Sequence, residues 1–259
     1  MDVLLIGYGA IAREVMRRIA PDEPSRIRWL LVRGSRPTGN DGPEVIGSLD
    51  ELRGKPDLVV EAAGHAAVVQ HGAAILKRGI DLAVISIGAL ADQKLYDALA
   101  DAARTGKSKL LLPAGAIGGA DALAAARTGG LDRVVYTSRK PPRAWKGTPG
   151  EKVTDLDALK APATLYEGNA REAATLYPQN ANVAATIALA GIGFEKTEVK
   201  LVADPAANGN IHHIEAAGTF GRFTVEMQGK PLPENPKSST LAALSLVRAI
   251  KNRASAIEI

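Results

Sequence analysis

Cysteine is absent from the 259 residues, which removes disulfides, thiolate metal sites and a cysteine nucleophile together. Four histidines are the strong metal ligands that remain. His65 and His71 fall on a helical pattern at a spacing that does not share one face, and the adjacent His212 and His213 point to opposite sides of an extended strand, so no metal site is expected. No run approaches the roughly 18 consecutive apolar residues needed to cross a bilayer. The apolar run at the start is short, lacks a basic leader and passes directly into a glycine turn, so a cytoplasmic protein without membrane association is expected. A dominant charge is also missing: 32 Lys and Arg nearly cancel 28 Asp and Glu, leaving +4. That excess is too small and dispersed for nucleic acid, although it suits anionic small molecules.

What is present reads as an enzyme-sized α/β chain. Hydrophobic residues make up 46% and charged residues 23%, enough for a substantial core. Val3 to Ile6 is a buried-strand run, Gly7-Tyr8-Gly9 a tight turn, and Ile11, Val15 and Ile19 recur at helical spacing. Further strand runs at Trp29 to Val32, Leu58 to Val60, Leu82 to Ile87 and Leu110 to Leu112 alternate with helical patterns at His65 to Arg78 and Asp92 to Thr105. This alternation predicts a Rossmann-type doubly wound parallel sheet, with ligands at the carboxyl ends of its strands. After Pro113 the pattern changes. Arg133 to Thr137, Glu198 to Ala203, His212 to Ala216 and Arg222 to Met227 read as strands with partly alternating faces, which predicts a second α+β domain carrying a mixed sheet. Ala181 to Ala190 reads as a small-residue helix. Asn235-Pro236 reads as the start of a C-terminal helix packing back on the first domain. The expected division is therefore 1–117 for dinucleotide binding, completed by 235–259, and 118–234 for substrate binding and subunit contact. The segment Lys140 to Gly150 is the nearest thing to a linker.

Gly7, Gly9 and Ala12 fill the G-x-G-x-x-G/A positions between a strand and a helix, where Ala10 and Ile11 open the helix whose positive end meets a pyrophosphate. About 20 residues further on, an NAD site usually carries an acidic residue for the ribose hydroxyls. Here stands Val32-Arg33-Gly34-Ser35-Arg36, so Arg33, Ser35 and Arg36 are candidates for a 2′-phosphate, or else solvated loop charges. NAD or NADP is the expected cofactor, with NADP acceptance suggested. Ser86 and Gly88, closing the Leu82 to Ile87 strand, are read as permitting close packing or close cofactor approach.

Beyond the glycine turn, the segments GYGAIA, EAAGHAAVVQHG, ISIGALAD, PAGAIGGADAL, TSRKPP, YPQNANVAATIALAG, VADP, NIHHIEAAGTFG and NPKSST occur in this order. On them the chain resembles the L-aspartate dehydrogenase family over nearly its whole length. The resemblance implies NAD(P)-dependent oxidative deamination of L-aspartate through iminosuccinate to oxaloacetate and ammonia, or the reverse, with a link to NAD biosynthesis in some organisms. It implies a homodimer, places the catalytic histidine at His212, and puts nicotinamide-side contacts at Ala116 and Asn182.

The residues make chemical sense of this independently. Withdrawing a hydride from an amino acid's α-carbon calls for a base near neutrality, and histidine is the natural choice. Strand alternation sets His212 on the apolar face with Ile214 and Ala216, and His213 on the other face with Glu215. Two substrate carboxylates need cations or aligned donors. Arg139 and Lys140 are the charged candidates, Asn180 and Asn182 the neutral ones, and the amides around Gly115 to Gly119 a further possibility. Basic residues beside two prolines equally suit a solvated loop. Alternatives are another reductase of the same architecture, resembling dihydrodipicolinate reductase or homoserine dehydrogenase, or a dinucleotide sensor without catalysis. The dihydrodipicolinate-reductase-like reading lacks an E-x-H-H segment followed by K-x-D-A-P-S-G, although NIHH is superficially similar to its start.

Overall fold

Residues buried on both sides of a sheet must be apolar at consecutive positions, and Val3-Leu4-Leu5-Ile6 and Leu58-Val59-Val60 satisfy this with almost no exposure. In a computed structural model describing residues 1–19, 24–34, 42–178 and 181–258, these runs form the centre of the first of two compact units. That unit comprises Met1–Gly115 with Ala242–Ile259, and the second comprises Ala116–Leu241. In chain order the first contains β1 (Asp2–Ile6), α1 (Ala10–Arg18), β2 (Arg26–Leu31), β3 (Glu44–Ile46), β4 (Leu58–Glu61), α2 (His65–Lys77), β5 (Asp81–Val84), α3 (Gln93–Gly106) and β6 (Leu110–Leu111). All six strands are parallel, in the order β3-β2-β1-β4-β5-β6. Chain direction across the sheet reverses between β1 and β4, which opens a crevice at their carboxyl ends.

The second unit holds α4 (Ala120–Gly129), β7 (Leu131–Lys140), β8 (Ala163–Asn169), α5 (Ala170–Leu176), α6 (Ala181–Ala190), β9 (Glu198–Ala203), β10 (Asn210–Gly218), β11 (Gly221–Gly229), β12 (Pro231–Leu232) and β13 (Asn235–Ser239). Its main sheet runs β11-β10-β7-β9-β8. β7 and β9 are parallel and the other pairs antiparallel, which is the mixed sheet expected. One face is apolar and carries Val134, Tyr136, Val199, Leu201, Ile214 and Ala216, all buried. The other carries ion pairs such as Arg133 with Glu198 and Lys200 with Glu167.

The last helix, α7 (Thr240–Ala254), inserts Ala242, Leu246, Val247 and Ile250 into the core that contains Val3, Leu5, Val15, Leu58 and Val60. Each fully buried Leu or Ile side chain contributes about 1.5–3 kcal/mol, so this helix is a structural part of the first unit.

Two sequence expectations need correction. The helix does not begin at Asn235-Pro236. Residues 235–239 form β13, paired antiparallel with β12, and the Thr240 amide bonds the Lys230 carbonyl at 3.0 Å. A cap-like dipeptide is overridden by hairpin pairing. The segment Lys140 to Gly150 is no linker either. Trp145 is fully buried, its indole donates to the Val202 carbonyl at 3.2 Å, and its ring meets Tyr177 edge-on at 6.0 Å.

Candidate active site

Gly7 ends β1 at φ 101°, and a Cβ there would lie 2.8 Å from the Ala63 Cβ and 2.9 Å from the Ala62 carbonyl oxygen. Only glycine fits between β1 and the loop after β4. Gly9, by contrast, has open space where its side chain would be, and it begins α1 with no side-chain cap. The first amides of α1 are thus left for a ligand. Ala12 is fully buried, letting the helix lie close on the sheet. A cleft of ≈ 530 Å³ opens here, lined among others by Gly7, Gly9, Arg33, Ala63, Gln70 and His71. Its size and backbone donors fit a dinucleotide. Ser35 and Arg36 lie outside the described residues, and Ala10 and Ile11 occupy the first turn of α1.

Sequence reasoning missed two features of this cleft. Gln70, on α2, accepts a hydrogen bond from the Arg33 guanidinium; the neighbouring His71, expected from the sequence to be structural or near the cofactor, lines the same wall. Burial, with the Arg33 charge as a smaller cause, lowers the His71 pKa. The spacing of Ala66, Ala67, Gln70 and His71 was the available signal, being one helix face. The second feature is Glu61, fully buried at the end of β4. Its carboxylate accepts from the amides of Ala63 at 2.7 Å, Gly64 at 2.6 Å and Ser86 at 3.1 Å, and from the Ser86 hydroxyl at 3.0 Å. Burial pushes its pKa up, while these four donors oppose that shift. Glu61 therefore fixes both the loop lining the cleft and the end of β5.

In the second unit, His212 is 3% exposed on β10 and pairs across the sheet with Ser138 of β7. Tyr136, Ser138 and Lys140 alternate along β7 on the same face as His212. The Tyr136 hydroxyl lies 2.8 Å from His212 Nδ1. Lys140 is half-buried, with its ammonium 5.2 Å from the centre of the Trp145 ring. Over the other neighbour of His212, Met227 of β11, lies the loop that starts α4. A Cβ on Gly119, which has φ 76°, would come within 2.9 Å of Val225, and one on Gly118 within 3.5 Å of the Met227 sulfur. The close approach of this loop to the His212 strand pair requires glycine at 119, whereas a Cβ at 118 would make only ordinary contact.

Electrostatics revise one sequence expectation. Burial, and secondarily the Lys140 charge, lower the His212 pKa to about 3, so the imidazole is neutral at physiological pH and does not titrate near neutrality. Burial lowers Lys140 to about 8, making the lysine the group that changes charge in that range. Arg139 points the other way: as the odd-numbered neighbour it leaves the His212 face and pairs with buried Asp204 at 3.1 Å. The structure therefore brings Lys140 to His212 and takes Arg139 away. Asn182 is exposed on the first turn of α6, Ala116 is buried, and Asn180 lies outside the described residues. Among the described residues no cluster of three metal-ligating side chains occurs.

Known proteins share both halves. Residues 7–113 match a family model described as homoserine dehydrogenase, NAD binding domain, and residues 121–253 one described as aspartate dehydrogenase, C-terminal. The L-aspartate dehydrogenases of Ralstonia nicotianae and Cupriavidus necator are 48% and 49% identical, with all of this chain and all of each relative covered. The crystal structure of aspartate dehydrogenase from Thermotoga maritima is 28% identical, with a TM-score of 0.82 over 100% of this chain and 99% of that one. A glycine turn with an NAD-binding domain, a buried histidine on the mixed sheet and likeness along the whole length converge on one statement: this chain is an oxidoreductase that belongs to the aspartate dehydrogenase family.

Proposed function

We propose that this chain catalyses NAD(P)-dependent oxidative deamination of L-aspartate, through iminosuccinate, to oxaloacetate and ammonia, and the reverse reductive amination. The observation carrying this reading is that His212 and Lys140 share one face of the sheet in the unit that the aspartate dehydrogenase model matches. A bound nicotinamide supplies the hydride chemistry. The amides at the start of α1 hold the pyrophosphate, His212 hydrogen-bonds the reacting amino or imino centre during interconversion with oxaloacetate, and Lys140 attracts a substrate carboxylate. Ala116 and Asn182 act on the nicotinamide side, with Asn180 beside the substrate. The same reading takes the protein as a cytoplasmic homodimer whose iminosuccinate is available to NAD biosynthesis. Initial rates with L-aspartate, and with oxaloacetate plus ammonia, test it with both cofactors. Turnover of another amino acid but not aspartate, or cofactor binding with no turnover, overturns it.

The Lys140 role has a pH signature. An ammonium with a pKa of about 8 attracts a carboxylate below that pH and loses its charge above it. The KM for aspartate is expected to climb by up to about 10-fold per pH unit above that value, following the shrinking protonated fraction. Lys140→Met should raise KM at pH 7 and flatten this limb. A limb that persists in the variant removes Lys140 from substrate binding.

Arg33, at the mouth of the cleft in place of a ribose-binding acid, supports use of NADP. Arg33→Ala is expected to raise the KM for NADP by about 10-fold, the loss of one charge-assisted contact to phosphate, and that for NAD by less than about 2-fold. Equal changes for the two cofactors would show that Arg33 does not read the 2′-phosphate.

A further inference from the structure

The catalytic-site histidine has a buried partner to which no role has been given. Tyr136 is 1% exposed, its hydroxyl lies 2.8 Å from His212 Nδ1, and the rings are within 21° of parallel with centroids 6.0 Å apart. That arrangement lets the hydroxyl approach along the in-plane Nδ1 lone pair. A buried phenol that fails to donate its proton forfeits a hydrogen bond and its hydration together. Two acceptors stand near it. Ser138 Oγ, one alternation along β7, is close enough to favour the phenolate slightly yet finds no partner of good hydrogen-bond geometry. His212 Nδ1 does meet that geometry. Burial also pushes the Tyr136 pKa upward, so the phenol keeps its proton throughout the physiological range and has that proton to give.

We infer that Tyr136 is the positioning residue of His212: its O–H donates to Nδ1, and the neutral ring therefore carries its own proton on Nε2. An imidazole accepting at one nitrogen must donate at the other. Resting on the functional reading above, this makes His212 meet the substrate as an Nε2–H donor. It stabilises negative charge building on the oxygen of the hydrated imine or the oxaloacetate carbonyl, and it does not begin the cycle as a proton acceptor. The reverse polarity, Nδ1–H donating to the phenol, would leave the buried O–H without an acceptor of good geometry among the described residues. Lys140 is the charged group on the same face, and its positive charge also disfavours a second proton on the ring.

Long-range ¹H–¹⁵N correlation spectra of the ¹⁵N-histidine-labelled full-length protein test this directly, because the two neutral tautomers and the imidazolium give distinct patterns. The chain has four histidines, and the His212 signals are assigned by their loss in His212→Asn. The expected pattern between pH 6 and 8 is a single Nε2–H tautomer with an unprotonated Nδ1. In Tyr136→Phe the two tautomers are expected to mix, and kcat to fall about 10-fold, the equivalent of one net hydrogen bond. The KM for the cofactor should stay within about 2-fold. An Nδ1–H tautomer or an imidazolium in the unsubstituted protein at pH 7 overturns the inference, as does a Tyr136→Phe protein with unchanged His212 signals and unchanged kcat. Should the variant fail to fold, the tautomer of the unsubstituted protein decides alone. The spectrum needs no turnover, so failure of the aspartate assay and failure of the tautomer assignment are separate results.

Discussion

Replacing His212 with alanine is expected to lower kcat by about 10²–10⁴-fold, the range associated with loss of a positioned acid–base group, with the Kd for NADPH unchanged. His212 belongs to the second unit, whereas the glycine turn and its cleft belong to the first. Rate and cofactor affinity should therefore separate. Fluorescence titration with NADPH gives the affinity and initial rates give kcat. The alanine variant also strands the buried Tyr136 hydroxyl, at about 1–3 kcal/mol, so a lower melting temperature accompanies the rate loss. His212→Asn offers that hydroxyl an acceptor but no imidazole, and should recover much of the stability while staying inactive. An alanine variant with unchanged turnover would take His212 out of the chemistry.

Replacing Glu61 with alanine should destabilise the first unit strongly. The carboxylate accepts from three backbone amides and one hydroxyl. Truncation leaves the Ser86 amide and hydroxyl buried without a partner, at about 1–3 kcal/mol each, and removes two part-buried bonds from Ala63 and Gly64, partly offset by no longer desolvating a carboxylate. A net destabilisation of about 3–5 kcal/mol is expected, which for a chain of this length corresponds to a melting temperature lower by roughly 10 °C. Because Ala62 and Ala63 line the cleft, cofactor affinity should fall as well. Glutamine helps little, since its amide nitrogen would face an N–H donor. Glu61→Ala melting within about 2 °C of the unsubstituted protein would show that the loop is held by other contacts.

How much of this was legible in the sequence depended on range. Strands buried on both faces announce themselves, as Val3 to Ile6 and Leu58 to Val60 did, and helices over 65–77 and 93–106 followed from their period. The alternation that set His212 apart from His213 needed only a strand assignment, and burial of His212 against exposure of Glu215 agrees with it. β3, with three residues, is too short to show a period, and β8 mixes its few apolar residues with Glu, Gly and Asn. Trp145 looked like part of a linker because its prolines and glycines are local signals, while the Val202 carbonyl that anchors it is 57 positions away. Tyr136 and Glu61 were invisible for the same reason. Their significance lies in partners supplied by a neighbouring strand or loop, and the choice between Arg139 and Lys140 likewise waited on knowing which face His212 occupies.

The path of α7 bears on how the protein is made. Strands laid down first, among them β1 and β4, receive Leu246, Val247 and Ile250 from the last helix of the chain. On the ribosome the second unit emerges whole before the first has all its parts. The earliest-synthesised sheet therefore waits, one apolar flank open, until α7 has been made. A stop codon placed shortly before Thr240 would make that temporary exposure permanent.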